Sequence, residues 1–192
     1  MYKLVKESLL EFHQTGDPLK TLGLGPYEEY VNAFFDNLNI SKERYRIEGR
    51  KVFYRGTLNL YAYPNEIKLP DGLNVGADLN LGNSVNLIEL PNNLEVRGSL
   101  ELGGCDNLTK LSDGLKVGQS LNLNHCISLK ELPHKLSIAG SLRMSYCTQL
   151  TKLPDDLEVV SNIYISEDQQ ELISYIENSK FRIKLYIRWN LN

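Results

Sequence analysis

The chain has 192 residues, 42% of them hydrophobic and 23% charged, with a formal net charge of −3, which suits one soluble domain with a sizeable core. The charge is uneven: residues 69–173 hold seven basic and fourteen acidic side chains, which disfavours nucleic acid as their ligand, because phosphate binding needs clustered Lys and Arg. No apolar run is long enough to span a membrane, and MYKLVKESLLEFHQ breaks its apolar residues with Lys6, Glu7 and Glu11, unlike a secretory signal, so a cytoplasmic location is expected.

Residues 1–25 read as a separate N-terminal segment. Leu4, Val5, Leu9 and Phe12 have the spacing of a short amphipathic helix, which Gly16-Asp17-Pro18 breaks. A loosely packed terminus explains the same residues. Residues 26–47 are expected to form a helical cap. Tyr30, Val31, Phe34, Phe35 and Leu38 recur at helical spacing, and Pro26 suits the first turn. These aromatics are read as cover for a hydrophobic end in preference to an aromatic binding groove.

The solenoid is placed at residues 48–173. Its first part, residues 48–68, is a degenerate coil in which Val52, Leu58, Leu60 and Ile67 lie near core positions. From Leu69 to Ile173 follow five 21-residue units without insertion or deletion, opening LPDGLNVGADLNL, LPNNLEVRGSLEL, LSDGLKVGQSLNL, LPHKLSIAGSLRM and LPDDLEVVSNIYI. A fixed period of this length marks an architecture in which each repeat stacks on its neighbours. In the second unit the apolar positions are Leu90, Leu94, Val96, Leu100, Leu102 and Leu108. The pairs Leu94/Val96 and Leu100/Leu102 have period two, so each is a short strand with one face inward. Gly98-Ser99 and Gly140-Ser141 mark one corner, where glycine supplies backbone freedom. Pro70, Pro91, Pro133 and Pro154 mark another. The fold class expected is mainly β with α caps, a short and only slightly curved stack.

Cys105, Cys126 and Cys147 take one place in three successive units, with Ser84 and Asp168 at that place in the first and fifth. Neighbouring coils lie about 4.8 Å apart, within reach of a disulfide. Three stacked thiols cannot all pair, a cytosolic chain keeps them reduced, and no second ligand type shares their side at metal spacing. They are expected to be a buried thiol ladder, with no metal and no cofactor.

Residues 166–192 form the C-terminal cap, overlapping the last repeat. Ser166 and Gln169 have capping-box spacing before EDQQELISYIEN, predicted to be a helix with Leu172, Ile173 and Ile176 facing the last coil. KFRIKLYIR then alternates, with Phe181, Ile183, Leu185 and Ile187 on one face and Lys180, Arg182, Lys184, Tyr186 and Arg188 on the other. It reads as a closing edge strand carrying protective charge.

The motifs LELGGCDNL, LNLNHCISL and LRMSYCTQL resemble the leucine-rich repeat family over about 105 residues. The family's usual leucine three positions before LxL is replaced by Gly76, Arg97, Gly118, Ala139 and Val160, so the LxV pair supplies that inner side. The resemblance implies a protein-binding solenoid, in a compact form with two strand ladders per coil in place of a wide horseshoe. KLVKESLLEF and GDPLKTLGLG resemble leader-like segments on otherwise unrelated proteins of large tailed bacteriophages and their hosts. That likeness implies a detachable address or docking tag, and for a phage-encoded chain a location in host cytoplasm or virion.

No catalytic grouping stands out, so no enzyme activity is expected. His125 adjoins Cys126, but neighbouring strand residues face opposite ways and cannot act as a nucleophile and base. His13 and His134 lack partners in a readable motif, and Gly103-Gly104 has no following Lys-Ser or Lys-Thr for phosphate. The outward residues of LxL, namely Asn80, Glu101, Asn122, Arg143 and Tyr164, are expected to form one exposed row. His125 and Tyr146 run alongside. Arg, Tyr and His are types that anchor interfaces, while Asn74, Glu95, Lys116, Ser137 and Glu158 look plainly solvent-facing. The function expected is a non-enzymatic protein–protein interaction module with a protein partner. The alternatives are a phage virion structural or cargo protein, and a phage inhibitor that occludes a host defence enzyme.

Overall fold

The structure, a computed structural model, describes residues 27–178 and 184–188. The expectations for residues 1–26, and for Lys180, Phe181, Arg182 and Ile183, lie outside them. The chain opens with helix α1 (Tyr27–Asn37), a 3-10 turn (Lys42–Arg44) and an antiparallel hairpin, β1 (Tyr45–Glu48) and β2 (Lys51–Tyr54). Each following coil contributes two short strands. These are β3 (Leu58–Asn59), then β4 (Leu73–Val75) with β5 (Leu79–Asn80), β6 (Glu95–Val96) with β7 (Leu100–Glu101), and β8 (Lys116–Val117) with β9 (Leu121–Asn122). Two more coils give β10 (Ser137–Ile138) with β11 (Leu142–Arg143), and β12 (Glu158–Val159) with β13 (Asn162–Ser166). Helix α2 (Gln170–Glu177) and strand β14 (Lys184–Arg188) close the chain.

The strands build two seven-stranded sheets, ordered β1-β2-β4-β6-β8-β10-β12 and β14-β13-β11-β9-β7-β5-β3. Apart from β1–β2, neighbouring strands are parallel, and every pair of coils is offset by 21 residues: Val75 faces Val96, and Leu100 faces Leu121. The fixed offset follows from the unbroken repeat, since a one-residue slip would turn every leucine outward. Leu79, Leu100, Leu121, Leu142 and Ile163 are fully buried, as are Leu81, Leu102, Leu123, Met144 and Ile165. The protein is thus a mainly β solenoid with leucine at its strand positions. The degenerate coil obeys the same register, with Val52 opposite Leu73 and Leu58 opposite Leu79.

Both ends are covered. Val31 and Phe35 of α1 are buried, and the Phe35 ring stacks on Tyr45 at 4.1 Å and on Tyr54 at 5.7 Å, residues paired across the hairpin. The aromatics of this segment therefore build the cap. Tyr30 donates to the Lys68 carbonyl at 3.0 Å and Tyr27 donates to that of Asp71, which ties α1 to the start of the first regular coil. At the far end Leu172, Ile173 and Ile176 are buried as expected. Strand β14 lies parallel to β13 with Leu185 opposite Ile163 and Ile187 opposite Ile165.

Three local expectations need correction. The Ser166/Gln169 pair does not cap a helix starting at residue 167. Ser166 ends β13, α2 starts at Gln170, and Gln169 Oε1 accepts hydrogen bonds from both the amide and the hydroxyl of Ser166, each 3.0 Å long. Asp168 is not the fifth member of the cysteine row. It is exposed, because a carboxylate is costly to bury, and the buried Gln169 donates instead to the Cys147 carbonyl at 3.3 Å. Nor are Gly98 and Gly140 needed for unusual backbone angles, since neither has a positive φ. A Cβ on Gly98 would sit 2.2 Å from Asp78 Oδ1, and one on Gly140 2.7 Å from Ser120 Oγ. Those side chains reach forward to accept the backbone amides of Ser99 and Ser141 in the next coil, at 2.7 and 3.1 Å.

Candidate functional site

Behind the LxL strand of the degenerate coil and of the first four regular ones the chain turns through a left-handed residue: Ala62, Asn83, Gly104, His125 and Tyr146, with φ between 50° and 75°. The next buried side chain then hydrogen-bonds back. Ser84 Oγ donates to the Leu60 carbonyl at 3.1 Å, and the thiols of Cys105, Cys126 and Cys147 donate to the carbonyls of Leu81, Leu102 and Leu123 at 3.2, 3.2 and 2.9 Å. All three cysteines are free and buried. Burial pushes Cys105 up to about 11 and Cys147 up to about 12, and raises Cys126 as well. A thiol so raised is a poor nucleophile and a poor metal ligand. Among the described residues no group of three His, Cys, Asp or Glu side chains is placed to hold a metal ion.

His125 and Cys126 are separated for a different reason than strand alternation. Both lie in the turn, His125 in left-handed conformation and exposed, Cys126 buried. The exposed imidazole stacks instead on Tyr146 one coil later, with centroids 4.5 Å apart and planes 15° from parallel. Tyr146 is held by its amide, which donates to Ser166 Oγ at 2.8 Å.

The outward row of the second sheet is continuous in register, Asn59–Asn80–Glu101–Asn122–Arg143–Tyr164, and β14 continues the ladder with Tyr186 paired to Tyr164. Its two halves differ. In the first, Asn80 Oδ1 accepts the amide of Gly82 at 3.1 Å, while Asn122 accepts from Asn124 at 3.0 Å and donates to Glu101 Oε2 at 2.7 Å. These side chains are occupied in bracing their own turns and neighbours. In the second half the Arg143 guanidinium lies 5.5 Å from the centroid of the Tyr164 ring, a cation–π contact. Of the seven residues predicted to form a surface, the structure therefore brings Arg143 to Tyr164, His125 to Tyr146, and Glu101 to Asn122, and leaves Asn80 with its own turn.

A third side of the coil escaped sequence reasoning. There, isolated parallel bridges join Glu89 to Lys110 and Lys110 to Glu131. The twenty-first position of successive coils reads Lys68, Glu89, Lys110, Glu131, Lys152, and that sign alternation was the available signal, since opposite charges facing across strands stabilise a ladder. This ladder borders a groove of about 560 Å³, along which also lie Leu90, Leu111, Ser112 and Leu132.

Comparison with protein-family models, with curated proteins and with solved structures finds no match to this chain. No helix among the described residues is long and apolar enough to cross a membrane.

Proposed function

We propose that the chain is a non-enzymatic protein-binding module, and that its partner surface is the C-terminal half of the second sheet's outer face, formed by His125, Arg143, Tyr146 and Tyr164. The observation that carries this reading is the pairing of His125 with Tyr146 on left-handed backbone. Such angles are unfavourable for residues with a Cβ by about 1–2 kcal/mol each, and positions holding this kind of strain cluster at functional sites. Glycine does the same structural task at residue 104, so imidazole and phenol at residues 125 and 146 are surplus to the turn. The neighbouring Arg143–Tyr164 pair adds the residue types that dominate interface energetics. The likeness of the LxLxxC motifs to leucine-rich repeats supports the same class of function.

The test is capture of partners from a lysate of the source cells by the full chain and by an Arg143→Glu/Tyr164→Ala variant of equal stability. The variant is expected to recover the partner at least about tenfold less well. Equal recovery by both would remove this surface from consideration.

A further inference from the structure

We propose that the groove on the third side of the solenoid docks an extended segment of a partner protein in which Lys or Arg alternates with apolar residues. The site is separate from the His125–Tyr164 surface and does not depend on that reading.

The groove is built from the repeat itself. Its floor is the first leucine of successive units, Leu69, Leu90, Leu111 and Leu132, each 4–7% exposed, so each shows only an edge to solvent. One wall is the charge ladder at the twenty-first position. The other is the corner that carries Asp71, Asn92, Asp113 and His134. From the Leu69 coil to the Leu132 coil are three steps of about 4.8 Å, a span of about 14 Å that matches four or five extended residues at about 3.3 Å each. Such a length is suited to a peptide side-chain pattern and short for a folded element.

Charge selects the occupant. Among the lining residues are five carboxylates, Glu66, Asp71, Glu89, Asp113 and Glu131, against Lys68 and Lys110. Some of this charge is engaged within the fold: Asp71 Oδ1 accepts the amide of Asn92 at 2.7 Å, and Glu66 lies 3.6 Å from Lys68. Asp113 and Glu131 have neither a side-chain hydrogen bond nor an ion pair among the described residues. A cationic side chain laid across them gains attraction that an anionic one would be denied. Apolar groups on the segment have Ile88 to meet, which is 56% exposed beside the leucine floor.

A second observation marks the middle of the groove. Four of the five regular units carry proline after the first leucine, and the third carries Ser112. Ser112 is 7% exposed, lines the groove, and its hydroxyl makes no hydrogen bond among the described residues. A buried hydroxyl without a partner is disfavoured, because it has given up its hydrogen bonds to water and gained none in return. A peptide backbone crossing this point would supply what the hydroxyl lacks.

The experiment is a fluorescence anisotropy titration of the full chain with two labelled eight-residue peptides, one alternating Lys with Leu and one alternating Glu with Leu. The Lys/Leu peptide is expected to bind, and Asp113→Lys/Glu131→Lys to weaken it about tenfold or more. Glu95→Lys/Glu158→Lys, which makes the same change of net charge on the first sheet, is expected to leave binding within about twofold. Equal loss in both variants would mean diffuse attraction to an acidic protein and would overturn the proposal, as would binding of the Glu/Leu peptide with similar strength. A photo-crosslinker on Ile88→Cys reads the occupant directly. Crosslinking to the added peptide supports the site, and crosslinking to residues 1–26 of the same chain in its presence overturns it in favour of self-occupancy.

Discussion

His125 stacks on Tyr146 with ring centroids 4.5 Å apart, and both residues hold left-handed backbone angles, φ 62° and 64°. Gly104 holds the equivalent place one coil earlier at φ 75°, so the turn itself needs no side chain. Replacing either residue by glycine relieves about 1 kcal/mol of backbone strain and forfeits stacking worth about 0.5–1.5 kcal/mol. These terms nearly cancel. His125→Gly and Tyr146→Gly are expected to shift folding stability by less than about 1 kcal/mol in urea unfolding, while partner capture falls about tenfold. Loss of several kcal/mol would show instead that the pair serves the fold.

The thiol row makes an alkaline prediction. Burial raises the three cysteines above their ordinary value of 9.0, Cys105 to about 11 and Cys147 to about 12. A group that holds its proton more tightly when folded contributes its full stability below the unfolded pKa. That contribution is lost as pH rises from 9 towards the folded values, because the unfolded chain ionises first. The melting temperature is therefore expected to fall between pH 9 and pH 11. Replacing Cys105, Cys126 and Cys147 together by serine should flatten that slope, since Ser84 already makes the same hydrogen bond one coil earlier. In the native protein at pH 8 the thiols should resist a disulfide reagent and become reactive on denaturation. Rapid reaction of the folded protein would contradict the buried row.

Much of the architecture was legible because the repeat is unbroken. Leucine spacing gave the core, the two strands per coil and even the degenerate coil, where Val52 and Leu58 keep register although the turn residues between them differ. What was not legible depends on contacts between coils. Asn83, Gly104, His125 and Tyr146 share a backbone conformation but no chemistry, so no compositional rule unites them. Ser166 and Gln169 have the spacing of a helix cap, but five residues of β13 pair with β14, and that pairing holds Ser166 in the strand. Along the predicted row, sequence placed Asn80 and Arg143 alike. Only the hydrogen bonds show that Asn80 is tied to its own turn while Arg143 lies over Tyr164. The groove draws its walls from four coils, which no local window joins.

Glycine at one corner alternates with larger residues from coil to coil: Gly56, Ala77, Gly98, Gln119, Gly140, Ser161. The reason at Gly98 is a Cβ position 2.2 Å from Asp78 Oδ1 and 2.8 Å from the Ala77 carbonyl carbon. Gly98→Ala is expected to cost about 1–3 kcal/mol by overpacking. Gln119, at the same place one coil later, is exposed, and Gln119→Ala should change stability by less than about 0.5 kcal/mol. Chemical denaturation of the two variants side by side checks the contrast. Equal and small effects would mean that Asp78 can withdraw from the amide of Ser99 at little cost.

Ser112 offers the opposite change, a substitution that should stabilise. The equivalent residues Pro70, Pro91, Pro133 and Pro154 show that proline fits this corner in four other units. The local turn is the same: the amide of Leu115 donates to the Ser112 carbonyl at 3.4 Å, as that of Leu157 does to the Pro154 carbonyl at 3.0 Å. Ser112→Pro removes a buried hydroxyl without a partner and restricts the unfolded chain. Together these are expected to contribute about 1–2 kcal/mol of stability, read as a higher melting temperature. If the serine is kept because a bound segment uses its hydroxyl, the same variant should bind the Lys/Leu peptide less well while melting higher. A lower melting temperature would show instead that the third unit turns this corner with backbone angles its neighbours do not share.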